Sequence, residues 1–159
     1  MSRSSSPCTA GDRLFQVRPP TEATFLSGEQ ARAFHHTAAQ LLFLSRVCRD
    51  IQTTVAFFTT RVKRPDNDDW GKLRRVLKYL NSSRYLKLTL FAESLSNIVW
   101  YVDTSNQLHD NCKGHTGSIL TFGRGATTSS STKHKIPSKS SCESEIIGLY
   151  DKIGNVLWT

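Results

Sequence analysis

Apolar residues recur at helical spacing through the first half of the chain. The pattern Ser27-x-x-Gln30 is a capping-box signal, and the apolar positions that follow it predict a first helix over about 28–46. A second helix is predicted after Asp50, where apolar residues lie four, three and four positions apart. These residues are Ile51, Val55, Phe58 and Val62. Pro65 ends the helix because proline cannot continue the hydrogen-bonded ladder.

A third helix is predicted to begin at Asp66 and to end at residues 81–83. Asp66, Asp68 and Asp69 favour the positive end of the helix dipole. Its apolar residues are Trp70, Leu73, Val76, Leu77 and Leu80. We therefore assign residues 27–90 to a helical segment. Residues 1–26 contain Ser, Pro and Gly without sustained periodicity, which predicts a flexible lead-in.

The periodicity changes from helical to extended after Arg84. Leucine alternates with polar residues over 86–90, which predicts a strand. Residues 98–102 are continuously apolar and are followed by Asp103, which predicts a strand over 97–103 whose centre is buried on both faces. Residues 115–125 and 126–134 are predicted to form two more strands, joined by a Gly-rich turn at 123–125.

A final helix is predicted from the start signal at residues 140–143. Its apolar residues fall on one side, which we expect to pack on the sheet. They are Ile146, Leu149, Tyr150, Ile153, Val156 and Leu157. The fold class is therefore α/β: a helical segment followed, at residues 97–159, by three antiparallel strands and a helix.

The net charge of the chain is positive, and most of the excess lies in one region. There are 21 Lys and Arg residues against 13 Asp and Glu, giving a net charge of +8 and a pI near 9.6. Residues 34–96 carry eleven basic and five acidic groups, so this third holds most of the excess. Such a balance favours an anionic partner such as nucleic acid, although a basic protein without such a partner has the same composition.

Two groups of cations are candidate phosphate contacts. The polar face of the third helix carries Lys72, Arg74, Arg75 and Lys78, which either displace counterions from a nucleic acid or form a solvated helix face. The regional excess of charge favours the first interpretation. Lys133, Lys135 and Lys139 are candidates in the last third, where a solvated strand end is the alternative.

The apolar runs and the cysteines bear on the cellular compartment of the protein. No run of 18 apolar residues is present, which excludes a membrane-spanning helix, and no apolar segment makes a secretory signal. The four cysteines lie 40, 64 and 30 positions apart without a CxxC pair, which predicts reduced thiols in an intracellular protein, cytoplasmic or nuclear. The pattern HxxCxxH at 109–115 could bind a metal together with Cys142, but it lacks a regularly spaced fourth ligand, and we interpret it as a polar loop.

Asp103 and Glu145 are the carboxylates most suited to a shared site. At about 100° per residue, Glu145 lies about 40° from Leu149 on the flank of the apolar side of the last helix, whereas Glu143 lies about 160° from Glu145. If this helix packs on the sheet, Asp103 and Glu145 can converge. Two close carboxylates need a proton or a hard cation such as Mg²⁺ between them. The alternative is that Asp103 caps a turn and Glu145 is solvated.

Residues 34–159 resemble the last part of a copia-type retrotransposon polyprotein, from the connection after the reverse transcriptase into its ribonuclease H domain. The resemblance covers about four fifths of the chain. The pairing of WYVDTS with SSCESE at this separation is its most specific part. The matching pieces are QLLFLSRVCRDIQTTVAFFTTRV (40–62), DDWGKLRRVLKYL (68–80), WYVDTS (100–105), GHTGSILTFGRGATTSSSTKHK (114–135) and SSCESEIIGL (140–149).

The resemblance implies a ribonuclease H-like fold whose first three strands are antiparallel and are followed by a helix. Enzymes of this family hydrolyse the RNA strand of an RNA–DNA hybrid with two Mg²⁺ ions held by carboxylates. Asp103 matches the first carboxylate and Glu145 the second. The implied partners are an RNA–DNA hybrid and the remainder of the polyprotein.

The chain also departs from the family pattern. The third catalytic Asp and a later metal-binding acid of the family lie beyond the position that Thr159 matches, and Arg49 stands where many relatives have proline. We therefore expect a truncated ribonuclease H-like domain with little or no activity alone. The alternatives are a piece of an active Mg²⁺-dependent polyprotein and a non-catalytic nucleic-acid-binding or interaction module.

Overall fold

The computed structural model describes residues 6–7, 14–109 and 111–159. The chain divides into two compact units, with the boundary between Leu86 and Lys87. Within the described residues there are four α-helices and two antiparallel sheets, one of them three-stranded. The chain is therefore a mixed α/β protein, as the sequence predicts. None of its described helices is both long and apolar enough to cross a membrane.

The first unit contains the three predicted helices. They are α1 (Gly28–Leu44), α2 (Gln52–Arg61), which follows a short 3-10 turn at Arg49–Ile51, and α3 (Asn67–Ser83). Ser27 caps α1 by accepting a hydrogen bond from the N–H of Gln30. Their apolar sides meet in a core where the rings of Phe34 and Phe58 lie edge to face, with centroids 5.6 Å apart.

The start of α3 is fixed by two buried aspartates. The Asp66 carboxylate accepts a hydrogen bond from the N–H of Asp69, and the Asp69 carboxylate accepts one from the N–H of Asp66. This reciprocal pair is a capping box. It supplies acceptors for two N–H groups that have no carbonyl partner within the helix. Arg61 at the end of α2 donates to Asp69 across 3.0 Å, so the same carboxylate joins two helices.

The described residues of the second unit form five strands and one helix. The strands are β1 (Phe91–Ala92), β2 (Val99–Ser105), β3 (Lys113–Thr121), β4 (Gly123–Arg124) and β5 (Thr128–Pro137), and the helix is α4 (Ser141–Leu157). The three-stranded sheet has the order β2–β3–β5, and β1 pairs with β4 in a separate two-stranded sheet; both sheets are antiparallel. Helix α4 follows β5 and packs on the three-stranded sheet. The residues predicted as a tight turn, 123–125, lie between β3 and β5, but Gly123–Arg124 forms the strand β4, and Gly125 after it adopts φ +76°.

The strand predicted at residues 86–90 is wrong. These residues form no strand, and Leu86, Leu88 and Leu90 are exposed. Alternation of polar and apolar residues predicts a strand only if a neighbouring backbone supplies hydrogen bonds. In this part of the chain β4 pairs with Phe91–Ala92 and not with the residues before them.

The prediction that the centre of the strand at 97–103 is buried on both faces is also wrong. Trp100 and Val102 are half-buried, whereas Val99 and Tyr101 are exposed. Successive side chains of a strand point to opposite faces, and the contacts of α4 are with the face of Thr104. The other face of β2 has no comparable layer among the described residues of this unit.

Helix α4 packs with the side opposite to the one predicted. Its buried residues are Ser144, Gly148 and Lys152, which follow one another at steps of four. Its exposed residues include Ile146, Leu149, Tyr150, Ile153 and Leu157, most of the predicted apolar face. The physical reason lies in the sheet: Thr104 and Thr116 lie against Gly148, and Ser130 accepts from Lys152, so the sheet meets the small and polar side of the helix.

Candidate functional site

The contact between α4 and the sheet depends on the absence of a side chain at Gly148. A Cβ added there would lie 2.1 Å from Thr104 Cγ2 and 3.0 Å from Thr116 Oγ1, closer than non-bonded atoms approach. The helix backbone therefore rests directly on β2 and β3. This close approach sets the distance between α4 and the sheet at Gly148.

Lys152 continues this interface with hydrogen bonds. Its buried ammonium donates to Ser130 Oγ at 2.7 Å and to Thr132 Oγ1 at 3.4 Å. Burial lowers the pKa of Lys152, while the neighbouring Asp151 acts in the opposite direction. Ser118 Oγ lies 2.7 Å from Ser130 Oγ, so a chain of hydroxyl groups crosses from β3 to β5 beneath the helix.

The N-terminal end of α4 is held by the loop that follows β2. Asn106 Oδ1 accepts hydrogen bonds from Ser138 Oγ at 2.7 Å and from Ser144 Oγ at 3.0 Å. Ser140 caps the helix by accepting from the N–H of Glu143, whose carboxylate in turn accepts from the N–H of Lys139. The carboxylate of Glu143 is thus engaged at the helix start.

Asp103 lies in the body of β2, opposite Gly117 of β3. It is exposed, and it alternates with Thr104, whose side chain faces α4. Because neighbouring strand residues point to opposite faces, Asp103 lies on the face of the sheet away from α4. The sequence interpretation placed it at the end of the strand, whereas two further strand residues follow it.

Glu145 lies in the first turns of α4 and is exposed. The two predicted carboxylates therefore belong to different layers: Glu145 to the helix and Asp103 to the far face of the sheet. The packing described above does not bring them together. Among residues 6–7, 14–109 and 111–159, no group of three or more His, Cys, Asp and Glu side chains is arranged to hold a metal ion. Asp103 and Glu145 supply oxygen ligands that suit Mg²⁺, but as a pair they are a partial ligand set.

The predicted cationic face of α3 is not a uniform surface. Lys72 is buried, and its ammonium donates to the carbonyl of Gln16 at 2.8 Å and lies 2.9 Å from Asp68 Oδ2. Arg75 is half-buried and donates to the carbonyl of Ser6. Lys78 is also half-buried, whereas Arg74 is exposed. Of the four predicted contacts, Arg74 is thus the most accessible to an anionic partner.

The lysines of the second unit that are candidate phosphate contacts also differ in exposure. Lys135 and Lys139 are exposed. Lys133 is half-buried and lies close enough to His109 and His115 to affect their charge. Lys135 and Lys139 therefore offer accessible charge, while Lys133 belongs to the histidine group described next.

Sequence reasoning missed a group of three buried histidines. His109 Nε2 lies 3.1 Å from His115 Nδ1, and His115 Nε2 lies 2.7 Å from Ser131 Oγ. His134 Nε2 lies 2.6 Å from Thr116 Oγ1. The HxxCxxH pattern was the available signal for two of them, but His134 is added by the pairing of β3 with β5, which spacing does not reveal.

Burial disfavours the charged form of each of these histidines. Burial, with added repulsion from Lys133, His115 and His134, lowers the pKa of His109 to about 4. Burial, with repulsion from His134, Lys133 and Lys152, lowers the pKa of His115 to about 4. Burial also lowers the pKa of His134, and Asp151 opposes that shift. Cys112 of the same pattern is exposed.

Comparisons with protein-family models, with curated proteins and with solved structures find no match to this chain.

Proposed function

We propose that this chain is part of a copia-type retrotransposon polyprotein, with a connection-like first unit and a partial ribonuclease H-like second unit. In this proposal it binds RNA–DNA hybrid but cleaves little or none of it alone. The alternative within the same family is a piece of an active Mg²⁺-dependent nuclease.

The observation that carries the proposal is the order of elements in the second unit. Three antiparallel strands in the order β2–β3–β5 are followed by α4, which lies on one face of their sheet. This is the order expected for the opening of a ribonuclease H-like domain. The strand that carries Asp103 and the helix that carries Glu145 are the two elements to which the resemblance assigns catalytic carboxylates.

Weak cleavage follows from the number and placement of the carboxylates. A two-metal nuclease needs several oxygen ligands converging on a pair of ions. Asp103 and Glu145 are exposed and lie in different layers, so they give a single Mg²⁺ ion few ligands. In this proposal the remainder of the polyprotein completes the site and is the partner that covers the exposed apolar side of α4.

Cleavage of a labelled RNA–DNA hybrid tests this proposal. With Mg²⁺ present, we expect equally negligible rates for the unmodified chain and for Asp103→Asn, because neither has a complete ligand set. Asp151→Asn is the matched control, since it removes a carboxylate from α4 that has no assigned role in the site. Mg²⁺-dependent cleavage that Asp103→Asn abolishes and Asp151→Asn preserves would establish the active nuclease instead.

Hybrid binding by the basic groups should depend on salt. Each phosphate contact that is lost reduces the slope of log Kobs against log salt by about 1. We therefore expect Arg74→Gln to lower the magnitude of this slope by about 1, measured by fluorescence anisotropy of a labelled hybrid.

Lys63→Gln is the matched control for Arg74→Gln, because Lys63 is another exposed cation of the first unit but is not a predicted contact. Its slope should equal that of the unmodified chain. Equal effects of both substitutions would mean that binding reflects net charge and not a defined surface. A slope near zero for the unmodified chain would exclude phosphate binding altogether.

A further inference from the structure

The side of α4 that does not pack on the sheet carries a row of large apolar residues. Ile146, Tyr150, Ile153 and Leu157 follow one another at steps of four, three and four, so they lie on one side of the helix. We call these four residues the α4 stripe. All four are exposed, from 39% for Ile153 to 78% for Tyr150. The stripe extends over about 17 Å of helix length, or three turns.

The α4 stripe lies opposite to the side of the helix that packs on the sheet. Gly148 is at the centre of the packed side. At about 100° per residue, Ile146 and Tyr150 each lie about 160° from Gly148, so the sheet cannot bury them. Apolar residues at alternating steps of four and three are the anchors with which one helix meets another, whereas an extended segment presents every second residue. The spacing of the stripe therefore fits a helical partner.

The exposed charges beside the α4 stripe are negative. Within α4 the exposed charged residues are Glu145 and Asp151, both acidic. Glu145 lies about 100° to one side of Ile146, and Asp151 lies about 100° to the other side of Tyr150. Lys152 is the single cation of the helix, and it is buried and hydrogen-bonded to the sheet. Each flank of the stripe thus carries a carboxylate, and neither carries an exposed cation from α4.

The C-terminal end of α4 adds to this negative character. Its last turn contains no basic residue, so no side chain of that turn offsets the negative end of the helix dipole. At the other end, the half-buried Glu143 accepts a hydrogen bond from the N–H of Lys139. Lys139 is exposed, but it precedes the helix. Positive charge on a partner is therefore favoured along both flanks of the stripe and beyond its last turn.

We propose that the α4 stripe is a docking surface for a basic amphipathic helix. The apolar side of that helix covers the stripe, and lysines or arginines on its flanks face Glu145 and Asp151. The remainder of the polyprotein supplies this helix, and only that source rests on the proposed function. A second copy of the chain fits less well, because two α4 stripes that pair bring carboxylates of like charge together.

Binding of two synthetic peptides to the full chain tests the proposal. Each peptide is as long as α4, with leucine at alternating steps of four and three, alanine at most other positions, and either lysine or glutamate on both flanks. At low ionic strength we expect the lysine peptide to bind about 10-fold more tightly, because several partly exposed ion pairs form. Added salt should reduce this difference. The whole chain carries a net charge of +8, so net charge alone predicts the opposite preference.

Tyr150→Ser locates the binding surface. Fluorescence anisotropy of the labelled lysine peptide should show a loss of affinity of at least about 10-fold, because an aromatic residue at the centre of an interface is a typical hot spot. Tyr85→Ser is the matched control, since Tyr85 is 79% exposed and belongs to the other unit. It should bind like the unmodified chain. Unchanged amide NMR signals of β2 and β3 in Tyr150→Ser would show that the second unit remains folded.

Three results would overturn the proposal: equal binding of the two peptides, equally tight binding of the lysine peptide with its sequence scrambled, or equal losses in Tyr85→Ser and Tyr150→Ser. Self-association of the chain that Tyr150→Ser abolishes would overturn it too, with a second copy as the occupant. The test is separate from that of the proposed function. Peptide binding by a chain that does not bind RNA–DNA hybrid would support the docking surface and count against its source alone. Hybrid binding without peptide binding would refute the docking surface alone.

Discussion

Replacing Gly148 with valine is expected to destabilise the second unit by about 3 kcal/mol, the upper end of the range for overpacked sites. The first added carbon would lie 2.1 Å from Thr104 Cγ2 and 3.0 Å from Thr116 Oγ1. Both neighbours are strand residues, so α4 must lift from the sheet to make room. A urea titration followed by the amide NMR signals of β2 and β3 measures the loss as a lower midpoint.

Gly154→Val is the matched control on the same helix. A Cβ at Gly154 meets no atom within 4 Å, so the same substitution creates no clash there. Its effect should be a slight stabilisation, because valine has a higher helix propensity than glycine by a few tenths of a kcal/mol. Equal midpoints for the two variants would mean that α4 does not rest on Thr104 and Thr116 through Gly148.

The helices of the first unit were predictable because their signals are local. The capping residues Ser27 and Asp66 mark helix starts through atoms three positions away, and the apolar residues recur at the helical period. Burial of Phe34 and Phe58 follows from the same period once two helices pack together. No information from distant parts of the chain was needed.

The packing side of α4 could not be predicted in this way. Periodicity identified the apolar side of the helix correctly, but it does not reveal what the facing sheet offers. That sheet presents Thr104 and Thr116 to Gly148, and Ser130 to Lys152. Which strand residues face the helix depends on the register of β2, β3 and β5, which is a property of the whole sheet.

In the candidate site, too, the sequence predicted what depends on neighbouring residues and missed what depends on residues distant in the chain. Sequence reasoning selected Asp103 and Glu145 by residue type and resemblance, but their layers depend on which face of the sheet α4 covers. It missed the burial of Lys72 because Gln16, whose carbonyl accepts the ammonium, is remote in sequence. It also interpreted the pattern with His109 and His115 as a polar loop, although both side chains are buried.

Replacing Asp69 with alanine is expected to destabilise the first unit by about 3 kcal/mol, the cost of removing one partner from a buried ion pair. Asp69 is 2% exposed, and its carboxylate accepts from both the N–H of Asp66 and the guanidinium of Arg61. Alanine removes the acceptor for a buried N–H at the helix start and the closer carboxylate partner of Arg61. A urea titration followed by the amide NMR signals of α3 measures the effect.

Asp69→Asn tests how much of the effect comes from the capping hydrogen bond and how much from the carboxylate charge. Burial is the largest influence on Asp69 and raises the pKa of its carboxyl, even though the N–H of Asp66 and Arg61 act to lower it. The ionised form is thus costly to bury, and a neutral amide oxygen can still accept from Asp66. We expect Asp69→Asn to cost clearly less than Asp69→Ala, because a well-bonded neutral group avoids the desolvation penalty.

Asp68→Ala provides the matched control in the same helical turn. Its carboxylate pairs with Lys72 at 2.9 Å and with Arg18 at 3.8 Å, but its side chain is 34% exposed and makes no capping hydrogen bond. Partly exposed ion pairs contribute about 1 kcal/mol or less, and the buried Lys72 ammonium keeps its hydrogen bond to the Gln16 carbonyl, so this variant should unfold close to the unmodified chain. If Asp68→Ala cost as much as Asp69→Ala, the start of α3 would be stabilised by the general charge of its first turn, and the specific junction of Asp66, Asp69 and Arg61 would not be its cause.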